Sequence, residues 1–320
     1  MLQTRESEVV ASVHQILDQV RRVVAGKDEA LLWVLAALLS GGHILLEDVP
    51  GVGKTTMALA FARTLGLDSR RVQFTSDTMP SDIIGFSLYN KETGRFDYKS
   101  GAVMTNLLLA DEINRTSSKT QSALLEAMEE YQVTVDGHTY PLPKPFVVLA
   151  TQNPVGSAGT QLLPSSQLDR FMIRTTMGYP DRQSQVDILR ERHHENPLDR
   201  LQGVVTCEEL LELIESAKQV HIADAVYDYI VELVDATRSS ELVELGVSPR
   251  GALALCRMAK AHAFVRGGDF VTPEDVYQVF DDVCAHRLVL SAKARLGKIT
   301  AREITEQLRQ QVPVPQVAQL

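Results

Sequence analysis

The sequence predicts an α/β protein: a parallel sheet covered by helices on both faces, followed by an all-helical domain. Three observations carry this. Short, continuously apolar strand candidates at 44–46, 72–75, 107–110, 146–151 and 172–177 are separated mostly by helical segments, and strands apolar on both sides belong to a sheet buried on both faces. A glycine-rich turn, Asp48-Val49-Pro50-Gly51-Val52-Gly53-Lys54-Thr55, leads from the first strand into a helix at Thr56. Beyond Tyr179-Pro180-Asp181 the strand runs stop and helical periodicity takes over. The division is therefore 1–180 for the α/β domain and 181–320 for the helical one.

Composition bounds the function class. The chain has 320 residues, 44% hydrophobic and 23% charged, as in ordinary globular proteins. Its net charge of −9 gives no bulk attraction to nucleic acid or to acidic membranes. Cys207, Cys256 and Cys284 are far apart and form no Cys-x-x-Cys, so they read as reduced core thiols of a cytoplasmic protein. The first residues carry Arg5, Glu6 and Glu8 rather than an apolar run, so no signal peptide is expected. The longest apolar run, 30–39, is about half of the roughly 20 residues a membrane span needs, and reads as a buried helix.

In chain order, Val9, Val13, Ile16, Leu17, Val20 and Val24 share one helical face. Gly26 ends that helix and Lys27-Asp28-Glu29 begins the next. The turn at Gly26 is equally a plain connector or a contact for a nucleotide base. Two hairpins interrupt the strand–helix alternation. One spans 86–98 around Asn90-Lys91-Glu92-Thr93-Gly94; the other spans 133–140 around Asp136-Gly137, a strong two-residue turn signal. Both are surface decoration or contact loops. The helical domain is predicted at 182–193, 208–218, 223–238, 249–265, 274–287 and 301–310, with capping-box chemistry at Thr206/Glu209, Thr272/Asp275 and Thr300/Glu303. The segment Val312-Pro313-Val314-Pro315 reads as extended.

A strand, a glycine-rich turn and a helix opening with Lys-Thr make a phosphate cradle, because backbone N–H groups and the helix N-terminus point at the anion. The candidates for nucleotide contact are Pro50, Gly51, Val52, Gly53, Lys54, Thr55 and Thr56, with Gly26 for the base. Lys54 supplies charge at the β and γ phosphates, and the Thr55 hydroxyl suits Mg²⁺. The usual leading glycine is here Asp48, which weakens the pattern. Support comes from Asp111-Glu112, which ends an apolar strand 57 residues beyond Lys54. In such ATPases the first acid, Asp111, holds Mg²⁺ and the second, Glu112, activates the attacking water. Asn153 ends the following strand and can hydrogen-bond that water or the γ-phosphate. Arg170, in Leu168-Asp169-Arg170-Phe171, can reach a neighbouring subunit's ATP, with Arg115 and Arg174 as competing candidates. Arg250 falls at the second helical position after Ser248-Pro249, where the helix dipole opposes a cation, so it is expected to face an anion, namely ATP. His193-His194 point apart on a helix and make no metal site.

With these motifs placed, the chain resembles the MoxR family of AAA+ ATPases from about residue 23 to 315. The likeness rests on the stretch 46–55, on Leu109-Ala110-Asp111-Glu112-Ile113-Asn114-Arg115, on 119–130, on Ala150-Thr151-Gln152-Asn153-Pro154 and on Leu168-Asp169-Arg170-Phe171. Asp48 is itself common in that family. The resemblance implies an AAA+ P-loop αβα core with a parallel sheet and an all-helical lid domain, assembled into a homo-oligomeric ring, usually a hexamer. It implies that Asn153 is sensor 1, Arg170 the arginine finger, Arg250 sensor 2, 86–98 the helix-2 insert and 133–140 the pre-sensor hairpin. It also implies chaperone-like, ATP- and Mg²⁺-dependent remodelling of client complexes with a von Willebrand factor A domain protein. A DNA-dependent AAA+ motor or loader is the alternative, but Glu92 and Asp97 offset Lys91, Arg95 and Lys99 on the first hairpin. The third reading is a catalytically inert nucleotide-gated scaffold. One departure is Gly101-Ala102, where the family commonly has Gly-Pro; losing the proline predicts a slightly freer insert.

Overall fold

The computed structural model describes residues 2–49, 51–153, 163–191 and 197–315. The elements run α1 (Leu2–Arg21), α2 (Asp28–Leu39), β1 (His43–Glu47), α3 (Lys54–Thr64), β2 (Ser69–Gln73), α4 (Pro80–Ile84), β3 (Gly85–Asn90), β4 (Arg95–Ser100), β5 (Leu107–Asp111), α5 (Ser118–Glu130), β6 (Gln132–Val135), β7 (His138–Pro141), β8 (Val147–Gln152), α6 (Ser165–Leu168) and β9 (Phe171–Thr175). The helical part follows with α7 (Arg182–Glu191), α8 (Cys207–Gln219), α9 (Asp224–Ser239), β10 (Val243–Leu245), α10 (Pro249–Val265), α11 (Pro273–Cys284), β11 (Val289–Leu290), α12 (Ala292–Leu296) and α13 (Ala301–Gln311).

Five strands form one parallel sheet in the order β2-β5-β8-β1-β9. β1, β5 and β8 lie inside it and are buried almost throughout, which is why their sequences are continuously apolar. β2 is an edge strand and differs from expectation. Its sequence, Ser69-Arg70-Arg71-Val72-Gln73, is mostly exposed, so it lacks the apolar run and starts three residues before the predicted strand. Edge strands tolerate such charge, which also blocks pairing with other chains.

One apolar core runs through α1, α2 and α3 and continues through α8–α13, from Val13 to Leu308. The helical domain is thus packed onto α2 and β9 rather than held apart. It is also not purely helical, because β10 and β11 pair as a short antiparallel ribbon. All three predicted capping boxes form, each threonine accepting from the backbone N–H three residues on. Of the three cysteines only Cys284 is fully buried, its thiol pushed up to about 12 by burial; Cys207 and Cys256 are half-buried.

Both hairpins form. Asp136 and Gly137 take the positive φ values of 49° and 79° that a two-residue turn needs. The insert hairpin leans on the other through Tyr98 and Tyr140, whose rings stack with centroids 4.0 Å apart. At Ala102 a backbone hydrogen bond stands where a proline ring would constrain the chain. The Ala102 N–H donates to the Asp82 carbonyl at 3.0 Å, a bond proline could not make. Gly101 is required at that base, because a side chain there would strike the Ile83 carbonyl at 2.2 Å.

Candidate active site

The site forms at the carboxyl ends of β1, β5 and β8, where parallel sheets present ligand-binding loops. After β1 the chain turns through Gly51 and Gly53, with φ of 88° and 99°. Nothing lies within 4 Å of where a Cβ would sit on either residue. These glycines therefore serve backbone conformation and an open concavity, not packing. Lys54, the first residue of α3, is buried and donates to the carbonyls of Asp48 at 2.7 Å and Val49 at 3.3 Å. Burial lowers its pKa against the opposing pull of Asp48, Asp111 and Glu112. Thr55 and Thr56 follow, half-buried, in the first turn of α3. Pro50 and Pro154 lie outside the described residues.

Asp111 ends β5, nearly buried. One carboxylate oxygen accepts from Thr151 Oγ1 at 3.3 Å and the other from Arg71 Nε at 2.7 Å. Glu112 adopts left-handed angles, φ 57° and ψ 49°. For a residue with a Cβ this costs on the order of 1 kcal/mol or more. Its N–H is held by Thr151 Oγ1 at 2.9 Å. Both side-chain oxygens are engaged: Asn153 Nδ2 donates to one at 3.0 Å, and Gln73 Nε2 at 3.0 Å and Arg115 Nε at 3.1 Å reach the other. Asn153 thus touches the acid itself in this structure, rather than standing apart from it. Sequence reasoning missed Gln73. It pairs in register with Asp111 across the edge of the sheet, a juxtaposition that requires β2 to be placed correctly.

Asp48 has a definite task. Its Oδ2 accepts from the N–H of Met177 and, at 3.1 Å, from that of Gly178. Lys27 Nζ donates to the carbonyls of the same two residues at 2.7 and 2.8 Å. The Met177–Gly178 peptide is therefore held from both sides, and the phosphate-binding turn is tied to the segment that leaves β9 for α7. Glycine at position 48 could not do this. Asp48→Ala strands two N–H groups and should lower stability by about 1–3 kcal/mol. Asp48→Asn keeps an acceptor and should cost less. Urea denaturation midpoints of the two variants check this order.

Gly26, with φ of 69°, packs so tightly against α7 that a Cβ would lie 2.4 Å from Ser184 Oγ. A cleft of about 440 Å³ opens beside it, lined among others by Lys27, Trp33, Thr175, Met177 and Arg302.

The remaining arginines separate into two groups. Arg115 is on Glu112, and Arg174 pairs with Glu47 at 3.5 Å, so both are engaged at this chain's own site. Arg170 and Arg250 are elsewhere. Arg170 precedes Phe171, which pairs with His43 at the start of β1, whereas the phosphate-binding turn follows the end of β1. Five strand residues put those ends about 13 Å apart. Arg170 Nε donates to Glu129 Oε2 at 2.7 Å, and Arg250 Nη1 to Glu129 Oε1 at 2.9 Å. The anion that Arg250 faces within the chain is therefore Glu129, not its own nucleotide site.

Residues 43–173 match the family model described as ATPase family associated with various cellular activities (AAA), and residues 235–308 match that of the AAA lid domain. The chain is 40% identical over 321 residues to Chaperone MoxR1 of Mycobacterium tuberculosis, covering 97% of this chain and 85% of that one. The chain belongs to the MoxR family of AAA+ ATPases. It is also 46% identical over 299 residues to YeaC of Bacillus subtilis, 93% of each chain. A crystal structure from Cytophaga hutchinsonii superposes with a TM-score of 0.91 at 39% identity, over 98% of each chain. The parallel sheet with its lid is thus the AAA+ arrangement, and no helix among the described residues is long and apolar enough to cross a membrane.

Proposed function

We propose that this MoxR-family chain hydrolyses ATP in a Mg²⁺-dependent manner, as one subunit of a hexameric ring. The observation that carries the reading is the convergence of Lys54, Asp111, Glu112 and Asn153 at the carboxyl ends of three adjacent parallel strands. The open concavity at Gly51 and Gly53 accommodates phosphate oxygens, and Lys54 exchanges two carbonyl partners for them. Thr55 and Asp111 offer hard oxygen donors, which suit Mg²⁺. Bound there, the ion would neutralise charge developing on the phosphates. Glu112 orients the attacking water and takes its proton, Asn153 fixes the Glu112 carboxylate, and Arg71 gives up its hold on Asp111 when the site is loaded.

Arg170 and Arg250 lie at the opposite end of β1 from the phosphate-binding turn, which favours their acting on the nucleotide of an adjacent subunit. A separated chain should then turn over slowly, and the ATPase rate per chain should rise with protein concentration. Lys54→Ala should abolish nucleotide binding, read by titration with a fluorescent ATP analogue; undiminished binding would falsify the site assignment. The ring's work is remodelling or maturation of client protein complexes in the cytoplasm, together with a von Willebrand factor A domain protein. The exposed Phe86, Leu88, Tyr89 and Phe96 on the insert hairpin supply an apolar contact surface for it.

A further inference from the structure

We propose that Glu129 is a positioning residue for hydrolysis: its single carboxylate holds Arg170 and Arg250 together as one preassembled phosphate receptor offered to the neighbouring subunit. The inference rests on the reading that these two arginines act across the subunit boundary. Nothing in the sequence brings the three residues together. Glu129 lies in the last turn of α5, Arg170 just before β9 and Arg250 in the first turn of α10.

The geometry favours convergence over burial. Glu129 spends one oxygen on each guanidinium. Each guanidinium has five N–H donors in a planar fork, so most of each fork stays available. The Glu129, Arg170 and Arg250 side chains are 34%, 27% and 44% exposed, so the receptor opens to solvent. Without the carboxylate the two cations repel and their rotamers separate.

The platform is rigid. His43 Nδ1 accepts from the Val148 N–H at 3.0 Å, so its proton sits on Nε2, which donates to the Met128 carbonyl at 3.0 Å. That bond pins the last turn of α5 to β1. Burial lowers the His43 pKa to about 4, which keeps the ring neutral in this role. Each arginine also has an anchored neighbour. Asp169 pairs with Arg287 at 2.8 Å and accepts from Ser248 Oγ at 3.3 Å. The segments carrying Arg170 and Arg250 are thus bonded to each other independently of Glu129.

The test uses full-length chains mixed in pairs. A tagged Lys54→Ala chain supplies arginines without an active site, and an untagged Arg170→Ala/Arg250→Ala chain supplies an active site without arginines. Co-purified complexes should recover ATPase activity; co-purified complexes with none would overturn the trans reading itself. With the donor changed to Lys54→Ala/Glu129→Gln, recovered kcat should fall by about tenfold or more, with KM for ATP within about twofold, since misplacing transition-state groups costs rate before affinity. Glu129→Asp should restore part of the loss. A Glu129→Gln donor that matches or exceeds the parent donor, while the parent donor rescues, overturns the role of Glu129 and leaves the trans reading standing.

Discussion

Glu112→Gln will bind ATP and fail to turn it over. The amide keeps the shape of the side chain and can still bond Asn153 and Gln73, so the fold and the nucleotide cradle persist. What is lost is the base of the proposed mechanism. A general base contributes about 10²–10⁴-fold, and kcat should fall by that factor while the dissociation constant for ATP changes little. Single-turnover phosphate release against equilibrium binding separates the two quantities. Hydrolysis at the parent rate would remove Glu112 from the mechanism. Gln73 makes the result more informative. It sits on the same carboxylate oxygen as Arg115, so that oxygen is held twice, while the oxygen bonded by Asn153 keeps a second lone pair with which to take a proton.

Much of this site was legible because each part ends an apolar strand. Ile44, Leu46, Leu107, Leu109, Val148 and Ala150 are buried in the sheet. Their continuous hydrophobicity marks where the chain must turn, and Lys54, Asp111, Glu112 and Asn153 follow within a few residues of those turns. The edge strand was marked only in part: the candidate at 72–75 includes Gln73, but Arg70 and Arg71 hide the strand's start, and nothing local to Gln73 shows that it pairs with Asp111. The lid helices were legible from capping chemistry local to each. Their docking was not, since it depends on pairs more than a hundred residues apart, such as Arg287 with Asp169. Asp48 shows a third limit. Seen against a motif it is a deviation; its purpose appears only when Met177 and Gly178 are brought beside it.

The largest stability effect is expected at Arg287. Its side chain is 3% exposed and sits between lid and core. It donates to the Asp169 carboxylate and to the carbonyls of Phe171 at 2.7 Å, Met172 at 3.3 Å and Val283. Burial lowers its pKa, with Asp169 among the groups opposing that shift. The bonds to Phe171 and Met172 fasten the lid to the first residues of β9. Arg287→Met removes all of these and, among the described residues, leaves the Asp169 carboxylate with Ser248 as its partner and without the Arg287 countercharge. Breaking a buried pair in this way costs about 3–5 kcal/mol, read as a lower urea midpoint. Arg287→Met/Asp169→Asn removes the stranded charge as well, so the double variant should be less destabilised than the arginine variant alone. Strict additivity of the two changes would show that the pair carries no coupling. The same variants bear on activity. Asp169 is bonded to Ser248, and these residues adjoin Arg170 and sit two positions before Arg250. A loosened lid should therefore spread the two guanidiniums, and kcat should fall in Arg287→Met even at temperatures where the chain stays folded.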